Sequence, residues 1–80
     1  MKRPIEEVYR AVGDRVRRAR VARGVTQRQL GARVGHSRLS MVAIETARQR
    51  VQVHTLFAIA DALGVAVAEL LPTGSQHEQA

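Results

Sequence analysis

The chain contains no cysteine and no tryptophan. Without cysteine, neither a disulfide nor a thiolate metal site can support the core. Aromatic rings are almost missing: Tyr9 and Phe57 stand alone. Binders of single-stranded nucleic acid stack bases on exposed rings, so two rings make a poor platform for a single strand. Acidic residues are scarce, 7 against 13 basic ones, which leaves a formal net charge of +6. No apolar run approaches the ~20 residues of a membrane-spanning helix. The first residues, Met1 to Glu7, lack the apolar stretch of a signal peptide, which predicts a cytoplasmic, nucleoid-associated protein.

What the chain does have is arginine: every basic residue except Lys2. Arginine presents a planar fork that pairs two-pronged with phosphate or with guanine edges. A small basic domain suits nucleic acid or an anionic membrane surface, and the missing rings and apolar runs favour duplex DNA. Eighty residues make one domain with a small core, which self-association could supplement.

The periodicity is helical throughout. Ile5, Val8, Val12, Val16 and Ala19 recur at three- and four-residue steps, one stripe of an amphipathic helix. Pro4, the acids Glu6 and Glu7, and the trailing Arg20, Arg23 and Gly24 bound this helix to about residues 4–23. Thr26 and Gln29 form a capping box that opens a second helix over residues 27–34, stopped at Gly35. Ser37 caps a third over residues 37–46, with Met41 and Ile44 inward. Two short capped helices around a glycine-containing turn form a helix-turn-helix pattern. Residues 48–52 read as a loop. Leu56, Ile59, Ala60 and Leu63 mark a fourth helix ended by Gly64, and Val67, Leu70 and Leu71 a short fifth stopped by Pro72. The expected fold is all-α: a five-helix domain over residues 1–72 and a disordered polar tail over residues 73–80.

The residues in this frame resemble the lambda-repressor-like, Cro/C1-type (XRE) helix-turn-helix family. The resemblance runs through Val12, Gly13, Asp14, Arg15 and Val16, then from Arg20 to Gln27. It continues in Leu30, Gly35, Ser37, Met41, Ile44, Glu45, Leu56, Ile59, Ala60, Leu63, Gly64, Val65, Leu70 and Leu71, without a gap. Four positions depart from the family pattern. Ala47 and Val51 occupy positions where the family usually has glycine and proline, Gly31 replaces an alanine, and Ala66 replaces a capping serine.

The resemblance implies a DNA-binding face. Gln27 would contact a phosphate and brace the reading helix, a solvated glutamine being the alternative. With Met41 and Ile44 inward, Arg38, Leu39, Val42 and Ala43 point outward, and in the family such positions face the major groove. Arg38 is the candidate for gripping guanine O6 and N7, with a plain phosphate contact as its alternative. Leu39, Val42 and Ala43 offer apolar contact to thymine methyls or are simply half-buried, so much specificity would come from DNA shape. Ser37 caps this face, and Ser40 reaches a phosphate or a base, or packs. Arg48, Gln49 and Arg50 would lie along the sugar-phosphate backbone. Arg20 and Glu45 match a structural pair tying the first helix to the end of the third. The other arginines are a mixture of field and solvated charge.

No paired carboxylates, activated nucleophile or phosphate-binding glycine loop appears, and His36, His54 and His77 have no metal-ligand spacing. Neither enzymatic activity nor a metal or cofactor is expected. The family resemblance implies a homodimer on a near-palindromic operator. Val65, Val67, Leu70 and Leu71 are more apolar than a monomer of this size needs, so Val65, Val67 and Leu70 are candidate interface residues, with burial of all four in the core as the alternative. No small-molecule effector is expected. Restriction–modification controllers, small phage repressors and antitoxins share this pattern. An antitoxin-type protein-interaction module with secondary DNA binding is the alternative.

Overall fold

The computed structural model describes residues 4–72. Four α-helices follow one another: α1 (Ile5–Ala22), α2 (Gln27–Val34), α3 (Arg38–Glu45) and α4 (Val53–Leu63). A single 3-10 turn over Val67–Leu70, the closing turn, completes the chain path. The disorder expected of residues 73–80 lies outside the described residues.

The expected apolar positions converge on one core. Val12 and Val16 come from α1, Leu30 from α2, Met41 and Ile44 from α3, and Leu56, Ile59 and Leu63 from α4. Val25 and Val51 plug the loops, and Leu70 seals the base. α2 packs on α3 and α4, α1 crosses α3, and the closing turn lies under α4 and α1. The leading end of the α1 stripe departs from expectation: Ile5 is 53% exposed, because α1 starts well before the core it covers.

The expected fifth helix is corrected to that one 3-10 turn. Its bonds run from Glu69 N to Ala66 O and from Leu71 N to Ala68 O, each spanning three residues. Pro72 follows at once. The residue before a proline is driven to extended backbone, and Leu71 is found at φ −105°, ψ 142°. Ala66 has no side-chain acceptor to cap the turn. Only the reciprocal bond is made, from Ala66 N to the Glu69 carboxylate at 3.3 Å.

Leu70 is a second correction. Expected at an interface, it is fully buried in the core. The tight turn points it back under α1 and α4, while Val65 and Val67 stay half-buried and Leu71 is 38% exposed.

Candidate nucleic-acid interface

The α2–turn–α3 unit is set by local hydrogen bonds that the residue types dictate. Thr26 Oγ1 accepts from Gln29 N at 3.0 Å, and Gln29 Oε1 accepts from Thr26 N at 2.9 Å, the reciprocal capping box. At the far end of α2, Gly35 is left-handed, φ 77°, and His36 N donates to Gly31 O at 2.8 Å. Two residues on, Ser37 Oγ accepts from Ser40 N at 3.0 Å and opens α3. Ser37 and Thr46 are thus the caps of the reading helix rather than members of it.

Gly31 has a packing reason that its residue type alone did not disclose. A Cβ there would stand 2.6 Å from His36 O and 3.1 Å from Ser37 O. The turn folds directly onto α2, and the missing methyl makes room for it.

α3 then divides cleanly. Met41 and Ile44 are buried; Arg38 is exposed and Leu39 is 72% exposed. Val42, Ala43 and Ser40 are half-buried along the flank. Arg38 and Leu39 therefore lead from the solvent side of the first turn, clear of the core.

One polar network holds this helix in place. Glu45, buried at the end of α3, receives Arg20 Nε at 2.6 Å and Nη2 at 3.0 Å. The remaining Arg20 nitrogen, Nη1, donates to Val25 O at 2.8 Å. The Gln27 amide Nε2 donates to Glu45 Oε1 at 3.1 Å. The pair anticipated between Arg20 and Glu45 is present, and Gln27 joins it, so the brace expected of Gln27 runs through Glu45, a partner that the sequence did not name. An amide nitrogen carries two hydrogens, and one of those on Gln27 is held by Glu45. The same contact of α1 with α3 needs Gly13, where a Cβ would lie 2.6 Å from both Ile44 O and Glu45 O.

Gln27 and Arg38 share an open cleft with Arg20, Thr26, Arg28 and Gln29. Arg28, left unassigned by the sequence, thus stands at the site. Its position in the exposed first turn of α2 was the available signal. Other arginines are engaged elsewhere. Arg18 pairs with Asp14 at 2.8 Å, and Arg33 Nη1 donates to Ala62 O at 3.4 Å. Arg48, Gln49 and Arg50 are exposed in the loop after α3, as anticipated, but Arg50 also sits over the Tyr9 ring, 5.8 Å from its centroid. His36 lies half-buried in the turn and His54 is exposed. Among the described residues no helix is long and apolar enough to cross a membrane.

The loop has one conformational peculiarity. Ala47 is left-handed, φ 63°, and the bonds from Arg48 N to Ala43 O and from Ala47 N to Ile44 O close α3 in a Schellman motif. The chain adopts the usual glycine geometry with an alanine.

Comparison with known proteins agrees with this geometry. Residues 11–72 match a helix-turn-helix domain family. An uncharacterized HTH-type transcriptional regulator, y4dJ, of Sinorhizobium fredii is 35% identical over 65 residues, 81% of this chain and 84% of that protein. The restriction-modification controller protein C.AhdI from Aeromonas hydrophila superposes with a TM-score of 0.76 at 27% identity, covering 79% of this chain and 91% of that one. The P22 c2 repressor, solved with a synthetic operator, gives 0.71 at 28% identity over 76% and 92% of the two chains. With this fold and these relatives, the chain belongs to the lambda-repressor-like (XRE) family of helix-turn-helix DNA-binding transcriptional regulators.

Proposed function

We propose that the protein is a homodimeric transcriptional regulator that places α3 in the major groove of a near-palindromic duplex. The observation that carries this reading is the exposed pair Arg38 and Leu39. They lead a helix locked from behind by Arg20, Glu45 and Gln27, with Arg28 beside them in the same cleft. In this arrangement Gln27 and Arg28 hold phosphate, Arg38 reads guanine, and Leu39 lies against a thymine methyl. Val42, Ala43, Ser37 and Ser40 line the groove wall, and Arg48, Gln49 and Arg50 follow the strand beyond it. With one polar reader per half-site, DNA shape supplies much of the remaining discrimination.

A two-fold dimer sets the two reading helices about 34 Å apart. The apolar surface for it lies on α4 and after it: Val53 and Phe57, one helical turn apart, are 72% and 51% exposed, and Val65 and Val67 are half-buried. This is a binding reading rather than an enzymatic one. The relatives named a controller protein and a repressor support regulation of transcription.

Selection of duplexes from a random pool, followed by fluorescence anisotropy, tests it. The expected product is an inverted repeat bound by two chains. Arg38→Ala is expected to cost about 1–3 kcal/mol of discrimination at one base pair in each half-site. Recovery of no preferred sequence, or equal preference in Arg38→Ala, overturns the reading.

A further inference from the structure

α1 begins at Ile5, ahead of the family match, which starts at residue 11. These leading turns contribute little to the core, since Ile5, Glu6, Glu7 and Arg10 are exposed and Tyr9 alone packs against it. Instead they form one wall of a cleft whose other wall is the loop after α3. Glu6, Tyr9 and Arg10 face Thr46, Arg48 and Arg50 across it.

The chemistry of this cleft is that of an anion site. The Arg50 guanidinium lies over the Tyr9 ring. At 5.8 Å from the ring centroid this is a cation–π contact, which uses none of the guanidinium N–H donors and leaves them able to bind. Among the described residues, Arg10, Arg48 and Arg50 have no carboxylate partner. Glu6 is the single opposing charge on the lining. The place of the cleft identifies the anion. α3 has 8 residues, so it is about 12 Å long, close to the ~12 Å width of the major groove. With its leading end among the bases, its trailing end meets the groove rim, where a sugar-phosphate strand runs.

We infer that Tyr9 and Arg10 on the leading turns of α1 join Arg48 and Arg50 in a second phosphate cradle, which takes a backbone phosphodiester of the duplex beside the reading helix. Tyr9 is a positioning residue there: its ring holds the Arg50 guanidinium beside α1, on the lining of the cleft. This rests on the DNA-binding reading above and extends the contact surface beyond the helix-turn-helix.

The test is anisotropy of the full chain with a random-sequence duplex across a salt series. Each lost phosphate contact lowers the slope of log affinity against log salt by about 0.9. Arg10→Ala is expected to lower the slope by that amount. Tyr9→Leu, which keeps the apolar bulk, is expected to weaken binding and lower the slope with an unchanged circular dichroism melt, while Tyr9→Phe, which keeps the ring, binds as wild type. Glu6→Gln is expected to tighten binding at every salt concentration. Wild-type slopes in both Arg10→Ala and Tyr9→Leu, with a reduced slope in Arg48→Ala, overturn the cradle and leave DNA binding standing. Absence of salt-dependent duplex binding by the wild-type chain overturns both.

Discussion

The two halves of the molecule share one core and differ in what is added to it. In the reading half, α2, its turn and α3 bury Leu30, Met41 and Ile44 and are further fixed by directed polar bonds: two side-chain caps and the Arg20, Glu45 and Gln27 network. In the closing half, α4 and the final turn are fixed by burial of Leu56, Ile59, Leu63 and Leu70. Apolar burial is non-directional and tolerates small rotations, whereas a hydrogen bond fails outside a narrow range of distance and angle. A helix that must seat its side chains on base edges needs the second kind of restraint. A helix that only has to cover a core does well with the first.

Removing one partner of the network should break the contrast most severely. Glu45→Ala strands the Arg20 charge, and loss of one member of a buried pair costs about 3–5 kcal/mol. Chemical denaturation should show that loss. The molecules that remain folded should bind duplex poorly as well, because α3 has lost its brace. Leu70→Ala is the control from the other half. A cavity there should cost about 2–5 kcal/mol, yet the folded fraction should bind DNA with wild-type affinity. Equal damage to binding by both variants, each corrected for folded fraction, would erase the distinction between the halves.

Gly13→Ala probes the same brace from α1. The added Cβ would press on Ile44 O and Glu45 O, each 2.6 Å away, and overpacking of this kind costs about 1–3 kcal/mol. Thermal melting should fall, and affinity for duplex should fall with it as the end of α3 is displaced.

The smallest effect sharpens the comparison at the helix ends. α4 stops at Gly64, φ 71°, and α3 at Ala47, φ 63°, in the same left-handed geometry. An L-residue there is strained by about 1–2 kcal/mol, and glycine relieves this at some cost in unfolded-chain entropy. Ala47→Gly should therefore stabilise by about 0.5–1 kcal/mol, and Gly64→Ala should destabilise by about 1 kcal/mol. Calorimetry of the two variants would refute the strain at Ala47 if both lowered the melting temperature.

Legibility in the sequence followed the range of the interactions. The capping box at Thr26, the cap at Ser37 and the stop at Gly35 are contacts within a few residues, and their spacing alone announces them. Met41 and Ile44 face inward by helical period, which leaves Arg38 and Leu39 outside. Val67, Leu70 and Leu71 carry the right period for a fifth helix, but Pro72 drives Leu71 to extended backbone and leaves a single 3-10 turn. Leu70 was assigned to an interface because apolarity does not distinguish a buried leucine from an exposed one. Gln27 to Glu45 and Arg50 over Tyr9 are contacts between separate segments, and Arg28 and Arg38 line one cleft from two helices; no local pattern encodes these.

The amino-acid order by itself determined where each helix starts and stops and which side of it is apolar, since hydrogen bonds to neighbouring backbone and the 3.6-residue repeat act within a single segment. Only the folded chain decided the pose of α3. That pose depends on a carboxylate, an arginine and an amide drawn together from three elements, and on two glycines whose missing methyls let backbones meet. Such contacts exist only after the core has brought distant segments to one place.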